Sequence, residues 1–63
     1  MVNITPEQIE MLEKYNIPYK GLSLGDLLVE IDWVMTDYLD ERDEPTEDFR
    51  IIEHLYDAIY DAN

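Results

Sequence analysis

Apolar residues along this chain recur at helical steps, and the recurrence breaks at two places. Leu24, Leu27, Leu28, Ile31, Val34, Met35, Tyr38 and Leu39 follow one another at three- and four-residue intervals, which places them on one wide face of a helix. Phe49, Ile52, Leu55, Tyr56 and Ile59 repeat the pattern further on. A thinner stripe near the start consists of Ile9 and Leu12, flanked by Met11 and Tyr15. No stretch alternates with the period of two that a half-buried strand requires.

Capping residues set the expected helix limits, because Ser and Thr oxygens accept from the free N–H groups of a first turn. Thr5-Pro6-Glu7-Gln8 has an N-cap threonine, proline at the first helical position and glutamine at the reciprocal capping position, predicting a helix over about residues 6–15. Asn16-Ile17-Pro18 ends it. Ser23, with Asp26 three residues on, opens a second helix expected to run to about Asp40 or Glu41. Thr46 opens a third, to about Ala62, with Glu47 and Asp48 at the positive end of its dipole. The expected architecture is an all-α bundle of three helices in a single domain, with the first helix lying across the other two.

Composition narrows the function more than the fold. A chain of 63 residues makes one small domain with a thin core. Without cysteine it has neither disulfides nor thiolate ligands, and its first residues show no basic-then-apolar leader pattern, so a soluble cytoplasmic protein is expected. Sixteen acids against four bases give a net charge of −12. Such a surface repels nucleic acid and membranes and attracts basic protein surfaces.

Chemistry is scarce. One serine, already needed as a cap, and one histidine, His54, on the solvent side of the third helix beside Arg50, leave no nucleophile and base to pair. The acidic stretch LDERDEPTED lacks the spacing of a calcium loop, and two glycines cannot form a phosphate cradle. No enzyme activity, cofactor or metal is expected. Tyr38 and Tyr56 fall on apolar faces and read as core, whereas Tyr19, beside Pro18, reads as a loop residue free to contact a partner.

Trp33, the one tryptophan, stands in VEIDWVMTDYLD among acids. With Ile31 at the centre of the buried face, Trp33 lies about 200° round the helix and Val29 about 160°, with Asp26, Thr36, Asp37 and Asp40 at neighbouring angles. Two readings follow. Either the first helix or an extended N-terminal segment covers Val29 and Trp33, or Trp33 anchors an interface inside an acidic rim.

The second helix as expected carries six acids over about 27 Å and the third five over about 25 Å. Side by side they present about one negative charge per 2.4 Å, against one per roughly 1.7 Å along duplex DNA. In size and charge the chain resembles the small acidic DNA-mimic proteins of phages and mobile elements, among them anti-restriction proteins, uracil-DNA glycosylase inhibitors and some anti-CRISPR proteins. The resemblance implies a non-enzymatic inhibitor that occupies the basic nucleic-acid cleft of a target, for example a CRISPR effector nuclease. The residues expected to meet the partner are Val29, Asp32, Trp33, Asp37, Asp40, Glu41, Asp43, Glu44, Glu47 and Asp48, with Tyr19. The alternative is an interaction module, such as a helical homodimer burying Val29 and Trp33.

Overall fold

The computed structural model describes residues 2–63 and contains three helices: α1 (Pro6–Lys14), α2 (Leu24–Thr36) and α3 (Glu47–Asp61). Each start follows from its cap. Thr5 Oγ1 accepts from Gln8 N at 3.2 Å while Gln8 Oε1 accepts from Thr5 N at 2.9 Å, which satisfies two orphan donors of α1 reciprocally. Ser23 and Thr46 cap α2 and α3 through Asp26 N and Phe49 N.

The end of α1 is a full Schellman closure. Asn16 adopts φ 57°, Asn16 N donates to Glu13 O at 3.1 Å, and Ile17 N donates to Leu12 O at 2.8 Å. This turn drives Ile17, 2% exposed, back against Leu12, so a residue read from sequence as part of a helix stop is part of the core.

The second helix is shorter than its apolar pattern implied, ending at Thr36 instead of about Asp40 or Glu41. Thr36 Oγ1 bonds back to Trp33 O at 2.7 Å, and the next amides turn to carbonyls three residues earlier: Asp37 N to Val34 O and Tyr38 N to Met35 O. That tightened turn lets the chain peel away. Leu39 then pairs with Pro45 in an isolated antiparallel bridge, and Asp40 N donates to Glu44 O at 2.9 Å. The apolar spacing runs on across the break because Tyr38 still packs on the core cluster, while Leu39 is half-buried at the bridge to Pro45, although the backbone there is no longer helical.

Thr46 joins the two ends of this loop. Its hydroxyl accepts from Phe49 N to cap α3 and donates to Tyr38 O, two residues beyond the end of α2.

The core comprises Leu12, Tyr15 and Ile17 from α1 and its exit, Leu27, Leu28, Ile31 and Met35 from α2, and Ile52, Leu55 and Ile59 from α3. Helices α2 and α3 form the close pair. α1 lies antiparallel to α3 and is tied to it at both ends. Tyr15 OH donates to Asp48 Oδ1 at 2.7 Å at one end; at the other, the Asn63 side chain accepts from Asn3 N at 2.8 Å and donates to Asn3 O at 3.2 Å. Val2 and Ile4, in the extended segment before α1, pack on the same cluster.

Candidate functional site

The outer face of α2 is where the sequence placed its aromatic anchor. Because α2 buries Leu27, Leu28, Ile31 and Met35 on one side, residues two positions from Ile31 point the opposite way. Trp33 is 70% exposed and Val29, one turn earlier, 54% exposed. Neither α1 nor the N-terminal segment covers them. The reading in which those elements bury Trp33 is therefore corrected, since both are engaged on the other side of the molecule, α1 beside α3 and Val2 and Ile4 on the core. Asp26, Asp32, Thr36 and Asp37 are exposed on the same helix and its cap, so the apolar pair has acidic neighbours.

Beyond the cap, Asp40, Glu41, Asp43 and Glu44 are all exposed in the loop that joins α2 to α3. Asp40 also shapes this loop: its Oδ1 accepts from Arg42 N at 2.8 Å and Glu44 N at 2.9 Å, and Asp43 sits at φ 59°, a conformation that Asp tolerates better than most residues. The loop therefore has a defined shape, with the remaining carboxylates turned to solvent.

Three of the residues expected at the interface have other positions or duties. Asp48 is half-buried and holds the Tyr15 hydroxyl, a hydrogen bond to an anion that, with burial, pushes the Tyr15 pKa up to about 12. Glu47 lies on the wall of a groove between α1 and α3. Tyr19 is half-buried against the core, and its hydroxyl donates to Glu13 at 2.7 Å, which raises its pKa. It is a packing residue with an engaged hydroxyl instead of a free ring in a loop. The short α2 also changes the charge geometry: it carries three acids over about 20 Å, beside five over about 22 Å in α3. Negative charge is concentrated in the loop between the helices and less along their length.

The α1–α3 groove is the feature that sequence reasoning missed. It holds about 470 Å³, with Met11, Ile51, Leu55 and Ala58 as its apolar lining and Glu7, Gln8, Glu47, Arg50 and His54 along its edges. His54 is exposed, as its helical angle implied, but it borders this groove. The available signal was Ile51, an apolar residue off the main stripe of α3. Its meaning depends on where α1 runs.

Among the described residues no group of three or more His, Cys, Asp or Glu side chains is arranged to hold a metal ion, and no helix is long and apolar enough to cross a membrane. Both surfaces offer contact area and charge. Compared with known proteins, the chain matches no family model, no curated protein and no solved structure.

Proposed function

We propose that this protein acts by binding: it docks the Trp33 face and the adjoining acidic loop into a basic, nucleic-acid-binding cleft of another protein, in place of DNA. One observation carries the reading. Trp33 is 70% exposed beside Val29, on a helix whose other side is already closed over the core. A large ring held on a rigid helix loses little freedom on docking, and a polar rim around such an anchor excludes water from the contact. Here the rim is acidic, so the complementary surface is rich in Lys and Arg. A nuclease of the CRISPR effector kind has such a cleft.

Charge favours this partner over a second copy. A homodimer through Val29 and Trp33 would bring together two chains of net charge −12 at their acidic faces. A basic cleft turns the same charges into faster association. The fit to DNA rests on the loop: Asp37, Asp40, Glu41, Asp43 and Glu44 place five carboxylates within eight residues, a local density to set against one phosphate per roughly 1.7 Å of duplex.

The test uses the immobilised protein in a bacterial lysate, with and without saturating duplex DNA, followed by binding measurements on the purified target. Wild type should retain a DNA-binding protein that DNA displaces. D37N/D40N/D43N/E44Q should slow its association, while neutralising Glu10, Glu53, Asp57 and Asp61 together, an equal change in charge at exposed positions elsewhere, should matter much less. The asparagine at 40 keeps an oxygen for Arg42 N and Glu44 N, so the loop should survive. Equal binding by both quadruple variants, or a complex that duplex DNA never disturbs, would overturn the proposal. Sedimentation showing a dimer lost on Trp33→Ala would replace it with the homodimer.

A further inference from the structure

The groove between α1 and α3 has a physical origin in the thinness of α1. Tyr15 with Asp48 fixes one end of α1 to α3, and Asn3 with Asn63 fixes the other. Between these ties the facing positions are the small Ala58 and the unbranched Met11, which do not fill the space. Leu55, 5% exposed, forms the floor.

We propose that this groove receives the apolar face of a basic amphipathic helix from a partner protein, which would lie against α1 and α3 as a fourth helix of the bundle. Three features agree on that occupant. The α3 wall from Glu47 to Ala58 is about 16 Å long, three helical turns, which accommodates the roughly 10 Å that anchors at i, i+4 and i+7 of a docked helix span. The volume of about 470 Å³ is in the range of real binding sites and is lined by apolar side chains, including a methionine that can repack around its guest. The charge is complementary: Glu7 stands on the α1 wall near one end, Glu47 on the α3 wall near the other, and the chain as a whole carries −12. Arg50, between them, disfavours lysine opposite the middle of α3, so the guest's basic positions belong at its ends. The site uses no residue of the Trp33 face and does not depend on the function proposed for it.

The probe is a synthetic helix of about 14 residues made of leucine and lysine, with leucines at three- and four-residue steps; its control has the same composition with the two alternating. Binding is followed by fluorescence anisotropy at about 0.15 M and about 0.5 M NaCl, and mapped by amide chemical shifts. The helical peptide should bind at both salt concentrations, the control should not, and the shifts should centre on Met11, Ile51, Leu55 and Ala58. Ala58→Glu decides between docking and plain charge attraction, because it adds a negative charge while blocking the apolar floor: affinity should fall at least about tenfold. E7K/E47K, at two exposed positions, should weaken the leucine–lysine helix and admit a leucine–glutamate one, which keeps the test sound if Ala58→Glu fails to fold. Trp33→Ala should change nothing. Equal binding of the alternating peptide, unchanged or tighter binding by Ala58→Glu, or shifts centred on Trp33 would overturn the proposal. So would saturable binding of the neutral dye N-phenyl-1-naphthylamine without any response to the peptide, which would assign the groove to a small apolar ligand.

Discussion

Replacing Trp33 by alanine measures how far the outer face of α2 is separate from the fold. The side chain is 70% exposed, so folding hides 30% of a ring system that offers at most about 250 Å². That is about 75 Å², or about 2 kcal/mol at 25 cal/mol per Å², and it is an upper bound because the unfolded chain already shields part of the ring. Alanine keeps its own Cβ contacts and favours a helix interior over tryptophan by several tenths of a kcal/mol. The expected net loss is therefore about 1 kcal/mol or less, a melting shift of at most about 8 °C. Ile52→Ala, at a side chain with 0% exposure, should lose about 2–5 kcal/mol. A domain of this size has only roughly 3–9 kcal/mol to lose, so that variant should be largely unfolded on mild heating.

Urea unfolding followed by circular dichroism reads both variants on one scale, without needing the tryptophan as a probe. Wild-type fluorescence supplies the independent check: an exposed indole should emit at long wavelength and be quenched readily by iodide or acrylamide. A loss above about 2 kcal/mol for Trp33→Ala, together with blue-shifted and poorly quenched native emission, would refute the separation of the two faces. It would also remove the observation on which the proposed interface rests.

Thr46→Val should cost about 1–2 kcal/mol, about 5–15 °C in melting temperature, because it deletes both the cap on Phe49 N and the hydroxyl donated to Tyr38 O while keeping the shape of the side chain. At Asn16, φ 57° makes Asn16→Gly nearly neutral and Asn16→Ala about 1 kcal/mol destabilising, measured by the same urea curves. Tyr15, with its pKa raised from 10.0 to about 12, binds its proton more tightly folded than unfolded; its contribution is fully present below pH 10 and lost as pH rises toward 12. Absorbance at about 295 nm should show Tyr15 ionising late, and Asp48→Asn, which removes the charge that holds the proton, should bring that step down. With −12 on a small fold, raising NaCl from about 0.01 M to about 0.15 M should raise the melting temperature, and a flat response would mean that the charges are already compensated locally.

Helix starts were legible because Thr5, Ser23 and Thr46 each act on the amide three residues on, a relation contained within the sequence itself. The end of α2 was not. It depends on Thr46, ten residues beyond Thr36, which supplies Tyr38 O with a partner that a continuing helix would have provided from within. Tyr38 and Leu39 keep helical spacing while leaving the helix, so periodicity alone could not mark the boundary. Ile17 was hidden in the same way: a residue after a helix stop became core because Asn16 turned the chain back onto Leu12.

The two candidate surfaces differ in legibility for a related reason. Whether Trp33 and Ile31 face apart is settled by 200° of rotation within one helix, so the outer position of Trp33 could be read before any packing was known. Whether Met11 and Ile51 enclose a space depends on α1 crossing beside α3, which is fixed by Tyr15 with Asp48 and Asn3 with Asn63, pairs separated by 33 and 60 residues. Asp48 illustrates the cost of reading charge without that information. As one acid in an acidic run it counted toward a binding surface, yet its carboxylate is half-buried against the Tyr15 hydroxyl and helps hold α1 in place. Acids therefore divide by geometry: Glu41, Asp43 and Glu44 are exposed and free to meet a basic partner, Asp40 uses one oxygen to shape the loop, and Asp48 ties α1 to α3 beside the groove that Glu47 borders. Neutralising the loop should slow association with the outer-face partner and leave the groove intact, while Asp48→Ala should loosen α1 and weaken helix binding in the groove without changing the acidic loop.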